Sequence, residues 1–501
     1  MKKFVRFIFI AALPVFVGGC GKDYLDTLPT DRVSSDKIFS SLENATTAVN
    51  GIYRFMFART TLVTDNTQNK PGVGGVMLAL DFMGEDLGIS SSNWYTSTGE
   101  GNWVGHRNES HALMEFDYRT FYKIIGDANF ILDNVGQVNA SEDQRNVLRS
   151  QALILRAYAY SFLVQLYGKR YSAVNGTNSQ LGVPLVLKSG DVALPRATVE
   201  EVYAAIIKDL DSAISMKVSS RANKSQANID VAIGLRARVA LIMQDYDNAI
   251  LYAKQLIALP TYKLMTHSEY LKGFNDANAL SEFIWASMPT ADQDAVFASY
   301  FSQIGYNANT SFMRANPKRI NSALYDRISA TDVRKNIWEP NPTAANFPLP
   351  LTTFSRQPYM SRKFSIKAAG GTLGDVPLMR LAEIYLIAAE AYVERDQDQL
   401  ARDILYEFMK ARDPEAVRST KSGQALTEEI WIQRRIELWG EGFRFLDLKR
   451  LNQPLKRTIV PNYVSGSVNG LMEVPAGDKR WEFLFPRTEL DANPNIVQNE
   501  I

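Results

Sequence analysis

The stretch SQALILRAYAYSFLVQLYG, residues 150–168, decides the fold class. Ala152, Leu155, Ala159, Phe162 and Leu166 recur at alternating steps of three and four, which is one face of an α-helix and not the two-residue alternation of a strand. Gly168 follows where a C-capping glycine is expected. The next element opens on Thr198-Val199-Glu200-Glu201, a capping-box pattern in which side chains satisfy the orphan N–H groups of a helix start. Val202, Ile206, Leu210 and Ile214 then repeat at i+4, with Tyr203 and Ile207 widening the stripe. Both stripes read as core faces.

Two later segments read as helix–turn–helix repeats. One runs from Ala232 to Met243, turns through Asp245-Tyr246-Asp247, returns over Ala249 to Leu259 and stops at Pro260. The other carries Tyr385, Ala389 and Tyr392, a polar turn Arg395-Asp396-Gln397-Asp398, and then Ala401, Leu405 and Phe408. Small residues at Ala389 and Ala401 let helices approach closely, a tetratricopeptide-like pattern. Helix pairs are therefore expected near 150–168/198–215, 232–260 and 381–409. The last two stand about 150 residues apart, so they form no tandem array in sequence. Residues 64–112, 286–320 and 338–378 lack periodicity and read as long loops, which at such length are usually functional. They hold Trp94, Tyr95, Trp103, Tyr300, Tyr306 and Trp338. Short β elements are expected at Phe283-Ile284-Trp285 and Pro184-Leu185-Val186, with no large sheet. The fold class is mainly α.

Composition narrows the function. The 501 residues carry 55 Lys+Arg against 54 Asp+Glu, so no basic excess invites nucleic acid. A hydrophobic content of 46% with 22% charged residues is ordinary globular composition. The single cysteine, Cys20, excludes an internal disulfide framework and any multi-cysteine metal site. Its position is informative. Lys2, Lys3 and Arg6 precede an apolar run from Phe7 to Val17, too short for a membrane span of ~20 residues. Residues 1–19 read as a signal peptide, and Val17-Gly18-Gly19-Cys20 reads as a lipobox. Cys20 would carry the acyl chains that hold the mature chain to a membrane, with Lys22-Asp23-Tyr24-Leu25-Asp26 as a polar tether.

Catalytic signatures are missing. There is no phosphate loop, no Gly-x-Ser-x-Gly elbow and no His-Glu-x-x-His helix. His106 and His111 are five apart around Glu109, which does not place two ligands on one helix face, so they read as solvated loop residues. Asp292/Asp294 and Asp396/Asp398 lack the rest of an EF-hand loop. No metal and no cofactor are expected, and the chain reads as no enzyme. A glycoside hydrolase is a further reading, because 54 acids allow many spatial pairs; a helical-repeat scaffold for protein partners is another.

Several blocks taken together resemble the SusD/RagB family of outer-membrane nutrient-uptake lipoproteins. They begin with Cys20 and Asp23-Tyr24-Leu25-Asp26, then Asn50-Gly51-Ile52-Tyr53, Phe121-Tyr122 and Ala128-Asn129-Phe130-Ile131-Leu132. The most distinctive is Leu155-Arg156-Ala157-Tyr158-Ala159-Tyr160 with Leu166-Tyr167-Gly168 and Gly182-Val183-Pro184-Leu185-Val186. Pro195-Arg196, Asp332-Val333-Arg334 (Val333 departs from the family's Asp-Pro-Arg), Arg380-Leu381-Ala382-Glu383-Ile384-Tyr385-Leu386 and Arg434-Arg435-Ile436-Glu437-Leu438 follow. Phe485-Pro486-Arg487 and Asn493-Pro494-Asn495 with Gln498-Asn499 close the chain, although Glu500-Ile501 departs from the family ending.

The resemblance implies one SusD-like domain over 20–501, with an N-terminal part at 20–220 and a C-terminal part at 280–501. It implies a helical superstructure whose long loops form a ligand face. It further implies a non-catalytic, lipid-anchored protein on the exterior of the outer membrane, binding an oligosaccharide or in some members a peptide. The partner it implies is a TonB-dependent SusC-like transporter. Local composition suggests the contacts: between Gly88 and Gly105 two Trp and one Tyr lie among Ser, Thr, Asn and Gly. Asn93, Trp94 and Tyr95, assisted by Trp103 and by Tyr300 or Tyr306 of loop 286–320, are the expected ligand-binding residues.

Overall fold

The computed structural model describes residues 35–65, 67–91 and 100–501. Cys20, the leader, the tether, and Asn93, Trp94 and Tyr95 lie outside the described residues. Among the described residues, eleven helices of seven residues or more build the body. They are α1 (Leu42–Phe57), α2 (Gly72–Met83), α3 (Ala112–Asn134), α4 (Glu142–Tyr167), α5 (Val199–Ser215), α6 (Ile229–Ile242), α7 (Tyr246–Ile257), α8 (Leu381–Val393), α9 (Asp398–Lys410), α10 (Gly423–Glu437) and α11 (Arg444–Arg450). The fold is mainly α.

The caps are where the local sequence puts them. Glu201 N–H donates to Thr198 Oγ1 at 3.1 Å while Thr198 N–H donates to Glu201 Oε2 at 2.7 Å, so the box at the start of α5 is reciprocal. Gly168 caps α4 with φ −90°, not with a left-handed turn. What requires glycine there is space: a Cβ would stand 2.8 Å from Val164 O and 3.1 Å from Val199.

From α3 to α10 each helix packs on the next, and α7 packs directly on α8 although residues 258–380 intervene. The two repeat pairs, distant in sequence, are thus neighbours in one ribbon. Two buried ion pairs rivet it. Arg156 grips Asp209 with two bonds of 2.7 Å between α4 and α5. Arg238 holds Glu383 at 2.6 and 2.7 Å between α6 and α8.

The intervening chain leaves and rejoins the ribbon through one clasp. Strand Phe283–Ser287 pairs antiparallel with Val376–Arg380, Phe283 opposite Arg380 and Ser287 opposite Val376. Every residue of both strands is buried, which explains their unbroken apolar runs. Pro377 is tolerated because this sheet has only two strands, each an edge. The other expected β element is shifted: Leu181–Pro184 pairs with Arg196–Thr198, ahead of Leu185 and Val186. The largest sheet has four strands of two residues each, Leu87–Gly88, Arg319–Ile320, Met360–Ser361 and Trp338–Glu339 in that order.

Helix α2 corrects the reading of 64–112 as loop. Its sequence, GVGGVMLALDFM, has apolar residues on every side, and all twelve positions are buried. A helix that is apolar all round shows no stripe, so periodicity is silent on it.

At the foot of the ribbon lies a fully buried ionic cluster. Arg380 reaches Glu282 at 2.5 Å, Glu437 at 2.9 Å and Glu441 at 2.7 Å. Arg412 joins Glu282 at 2.7 Å and Glu437 at 3.0 Å. Arg334 is held by Asp332 at 2.6 Å and Lys363 by Glu441 at 2.7 Å. Charges of both signs balance, four against four. The cluster joins the clasp, the end of α9 and the end of α10.

Candidate ligand-binding surface

The chain enters the segment around Trp94 from a fixed footing. Leu87 and Gly88 pair with Ile320 and Arg319. Ser91 donates to Asn316 Oδ1 from both its backbone N–H (3.1 Å) and its hydroxyl (2.6 Å). Arg319 Nη2 donates to Ile89 O at 3.2 Å and to Asn462 O at 3.1 Å. The described start of the early loop, up to Ser91, is therefore joined to the stretch 286–320 through Asn316 and Arg319. Neither was singled out from sequence. An Asn-Pro-Lys-Arg run at 316–319 was the signal available, and it reads as an ordinary turn without its distant partner.

On its far side the segment returns through the turn Glu100–Asn102. Arg457, fully buried, donates to Gly101 O and Phe82 O, each at 2.8 Å, and to Gly84 O at 3.1 Å. One guanidinium thus ties the returning chain to the end of α2.

Trp103 follows directly, and its expected place on the ligand face is corrected. The residue is 2% exposed. Its Nε1 donates to Met83 O at 2.9 Å, an unpaired helix-end carbonyl, and its ring stands edge-on to Trp481 at 4.7 Å and Phe445 at 5.5 Å. Tyr300 is likewise core. It is 2% exposed, its hydroxyl donates to Gly440 O, and its ring lies against Gly74, where a Cβ would come within 3.2 Å. Tyr306 is half-buried and packs edge-on against Phe347 at 5.5 Å. Trp338 is buried against Trp439 at 5.9 Å.

His106 is also corrected from solvated to core. It has no exposed surface, and its Nε2 donates to Arg480 O at 2.8 Å. Burial pushes its pKa down to about 3, so the ring is neutral. His111 caps α3 by accepting from Leu113 N–H at 3.2 Å. Among the described residues no group of three His, Cys, Asp or Glu is placed to hold a metal ion.

The four-stranded sheet beneath Ser91 carries one aromatic in an unusual backbone conformation. Tyr359 has φ +66°, is half-buried and stands edge-on to Tyr325 at 5.4 Å. Its N–H donates to Glu339 O at 2.7 Å and its carbonyl accepts from Ile320 N–H at 3.1 Å. A tyrosine held at positive φ stores strain that the sheet must enforce, a feature concentrated at functional positions. Aromatic edges, amides and guanidinium groups together suit recognition of a hydroxyl-rich molecule.

Comparison with known proteins agrees along the chain. A family model described as "Starch-binding associating with outer membrane" matches residues 24–241, and one described as "SusD family" matches residues 297–501. "SusD-like protein P2" of Formosa agariphila is 23% identical over 537 residues, covering 100% of this chain and 99% of the relative. Among solved structures, a SusD-like carbohydrate binding protein from Bacteroides vulgatus matches with TM-score 0.75 and 25% identity over 92% of this chain and 98% of the other. A SusD superfamily protein from Bacteroides thetaiotaomicron matches with TM-score 0.76 and 23% identity over 92% of this chain and 100% of the other.

Proposed function

We propose, from the premise that this chain belongs to the SusD/RagB family, that it is a cell-surface lipoprotein binding an oligosaccharide and delivering it to a TonB-dependent SusC-like transporter, without catalysing a reaction. The family description supports carbohydrate binding and association with the outer membrane. The observation that supports the reading is the pair of hydrogen bonds from Ser91 to Asn316, which fixes the described start of the early loop against the 286–320 stretch.

In this reading Asn93, Trp94 and Tyr95 make the ligand contacts, assisted by the half-buried Tyr306 of the second loop. Trp103 and Tyr300 support the surface from within. The test begins with a glycan panel against the pure protein, where binding without turnover is expected. Turnover would instead assign a hydrolase, and capture of peptides alone would change the ligand class. For the glycan found, Trp94→Ala is expected to lose ~2 kcal/mol, roughly thirtyfold in affinity, with an unchanged circular-dichroism spectrum and melting midpoint. Equal affinity by calorimetry would remove Trp94 from the site.

Anchoring is proposed through Cys20. No helix among the described residues is long and apolar enough to cross a membrane. Cys20→Ala is expected to move the protein from the membrane pellet to the soluble fraction and to leave its melting midpoint unchanged. A variant that stays in the pellet after a high-salt wash places the anchor elsewhere.

A further inference from the structure

A cleft of about 270 Å³ opens at the end of α4, between that helix end, the end of α11 and the segment 477–482. Of the residues named above only Trp481, the edge-on partner of Trp103, also lines it. Lys169, Arg170, Ser172, Lys449, Asn452 and Gln453 are among its lining, and Glu482 is its one acid.

The charges in this cleft divide into spent and free. Lys449 is 6% exposed, and its ammonium donates to Gln165 O at 2.7 Å, Gly168 O at 2.8 Å and Trp481 O at 2.7 Å. All three of its protons are used, and Glu482 stands 3.8 Å away as its counter-ion. The last carbonyls of α4, which attract cations at a helix end, are therefore already served. Lys169 and Arg170 come next in the chain, and neither side chain has a hydrogen bond or ion pair among the described residues. The cleft keeps two uncommitted cations.

A buried donor adds a second, independent observation. Ser172 is 2% exposed, and its hydroxyl has no partner. Its backbone N–H is satisfied by Asn178 Oδ1 at 2.9 Å, so the hydroxyl alone is left over. Buried hydroxyls are normally paired, and an orphan in a cleft edged by free cations is a donor without its acceptor. Asn452, held at φ +52°, and Gln453 line the same cleft.

We propose that this cleft is a second binding site, for a saccharide unit carrying an anionic group, a sulfate or a carboxylate. Lys169 and Arg170 pair with the anionic group, Ser172 donates its hydroxyl to one of its oxygens, and the amides of Asn452 and Gln453 meet the ring hydroxyls. The volume lies near the lower end of the roughly 300–1,000 Å³ of small-molecule pockets, which suits a single sugar residue.

The test uses the full chain and ligand-observed NMR with glucose 6-sulfate, glucuronate, glucose and inorganic sulfate. Glucose 6-sulfate and glucuronate are expected to bind and glucose not. The double variant Lys169→Gln/Arg170→Gln is expected to weaken that binding by roughly tenfold or more, and added salt to weaken it in the wild type. Ser172→Ala is expected to weaken it severalfold while leaving the melting midpoint at or above that of the wild type, since it removes an unsatisfied group. Trp94→Ala should leave it untouched, which separates this site from the proposed oligosaccharide surface. Equal binding of glucose and glucose 6-sulfate, binding of inorganic sulfate alone, or full affinity in the double variant would each overturn the proposal.

Discussion

Truncating Glu437 to alanine is expected to destabilise the chain by about 3–5 kcal/mol, because it leaves buried cations without their counter-ion. Glu437 has no exposed surface. Its carboxylate accepts from Arg380 at 2.9 Å, from Arg412 at 3.0 Å through each oxygen, and from the Tyr270 hydroxyl at 3.2 Å, with Arg334 at 3.6 Å. Burial opposes its charge, but Arg412, Arg380 and Arg334 outweigh burial and hold its pKa well below the ordinary 4.5. The depressed value sets the sign of the pH dependence. The stability contributed by this group is complete above about pH 4.5 and is lost as pH falls toward the native value. Glu437→Ala should therefore melt early at pH 7 and show a flatter loss of stability in acid than the wild type. Glu437→Gln keeps the shape and some hydrogen bonds, so its loss should be smaller but of the same sign. An alanine variant that unfolds in denaturant where the wild type does would show that neighbouring groups or water neutralise the guanidinium groups without Glu437.

This cluster also explains how much was legible in the sequence. Arg156, Asp332, Arg334, Arg380 and Glu437 belong to the blocks that carry the resemblance to the family, and each is committed to an ion pair. What the blocks encode is the frame. The 150–168 stripe could be read because α4 sets its small and large apolar residues in register with its neighbours. Helix α2 could not, since its sequence is apolar on all sides and leaves no contrast between faces. The same limit misplaced the rings of Trp103 and Tyr300. Polar neighbours along the chain report that the backbone is in a loop, not that the ring faces water, and both rings turn inward to helix-end and loop carbonyls. The joint that seats the candidate surface was illegible for another reason. Ser91 and Asn316 are 225 residues apart, and no local pattern announces such a pairing. The loops that would face a ligand carry almost none of the matching blocks, so family could be read where ligand could not.

Replacing Lys318 by methionine is expected to stabilise the protein at pH 6 by about 2–4 kcal/mol, an unusual sign for a core substitution. Lys318 is 2% exposed and reaches only backbone oxygens, Asn316 O at 2.9 Å and Phe312 O at 3.5 Å. No carboxylate among the described residues lies within ion-pair distance of it. Burial alone pushes its pKa down from 10.5 to about 7. Between those two values the unfolded chain binds the proton and the folded chain releases it, so this residue makes stability rise with pH from about 7 to 10.5. Below about 7 the lysine is charged in both states, and the native state bears the whole desolvation cost. Methionine fills a similar volume without a charge, so the gain should be greatest in mild acid and shrink as pH approaches 10. Denaturant titrations of both proteins at several pH values measure it. A difference that does not vary with pH, or a variant that is weaker at pH 6, would mean that the ammonium keeps its charge at little cost. Affinity for the ligand should be unchanged, because the hydrogen bonds of Asn316 to Ser91 and of Arg319 to Ile89 do not use the Lys318 side chain.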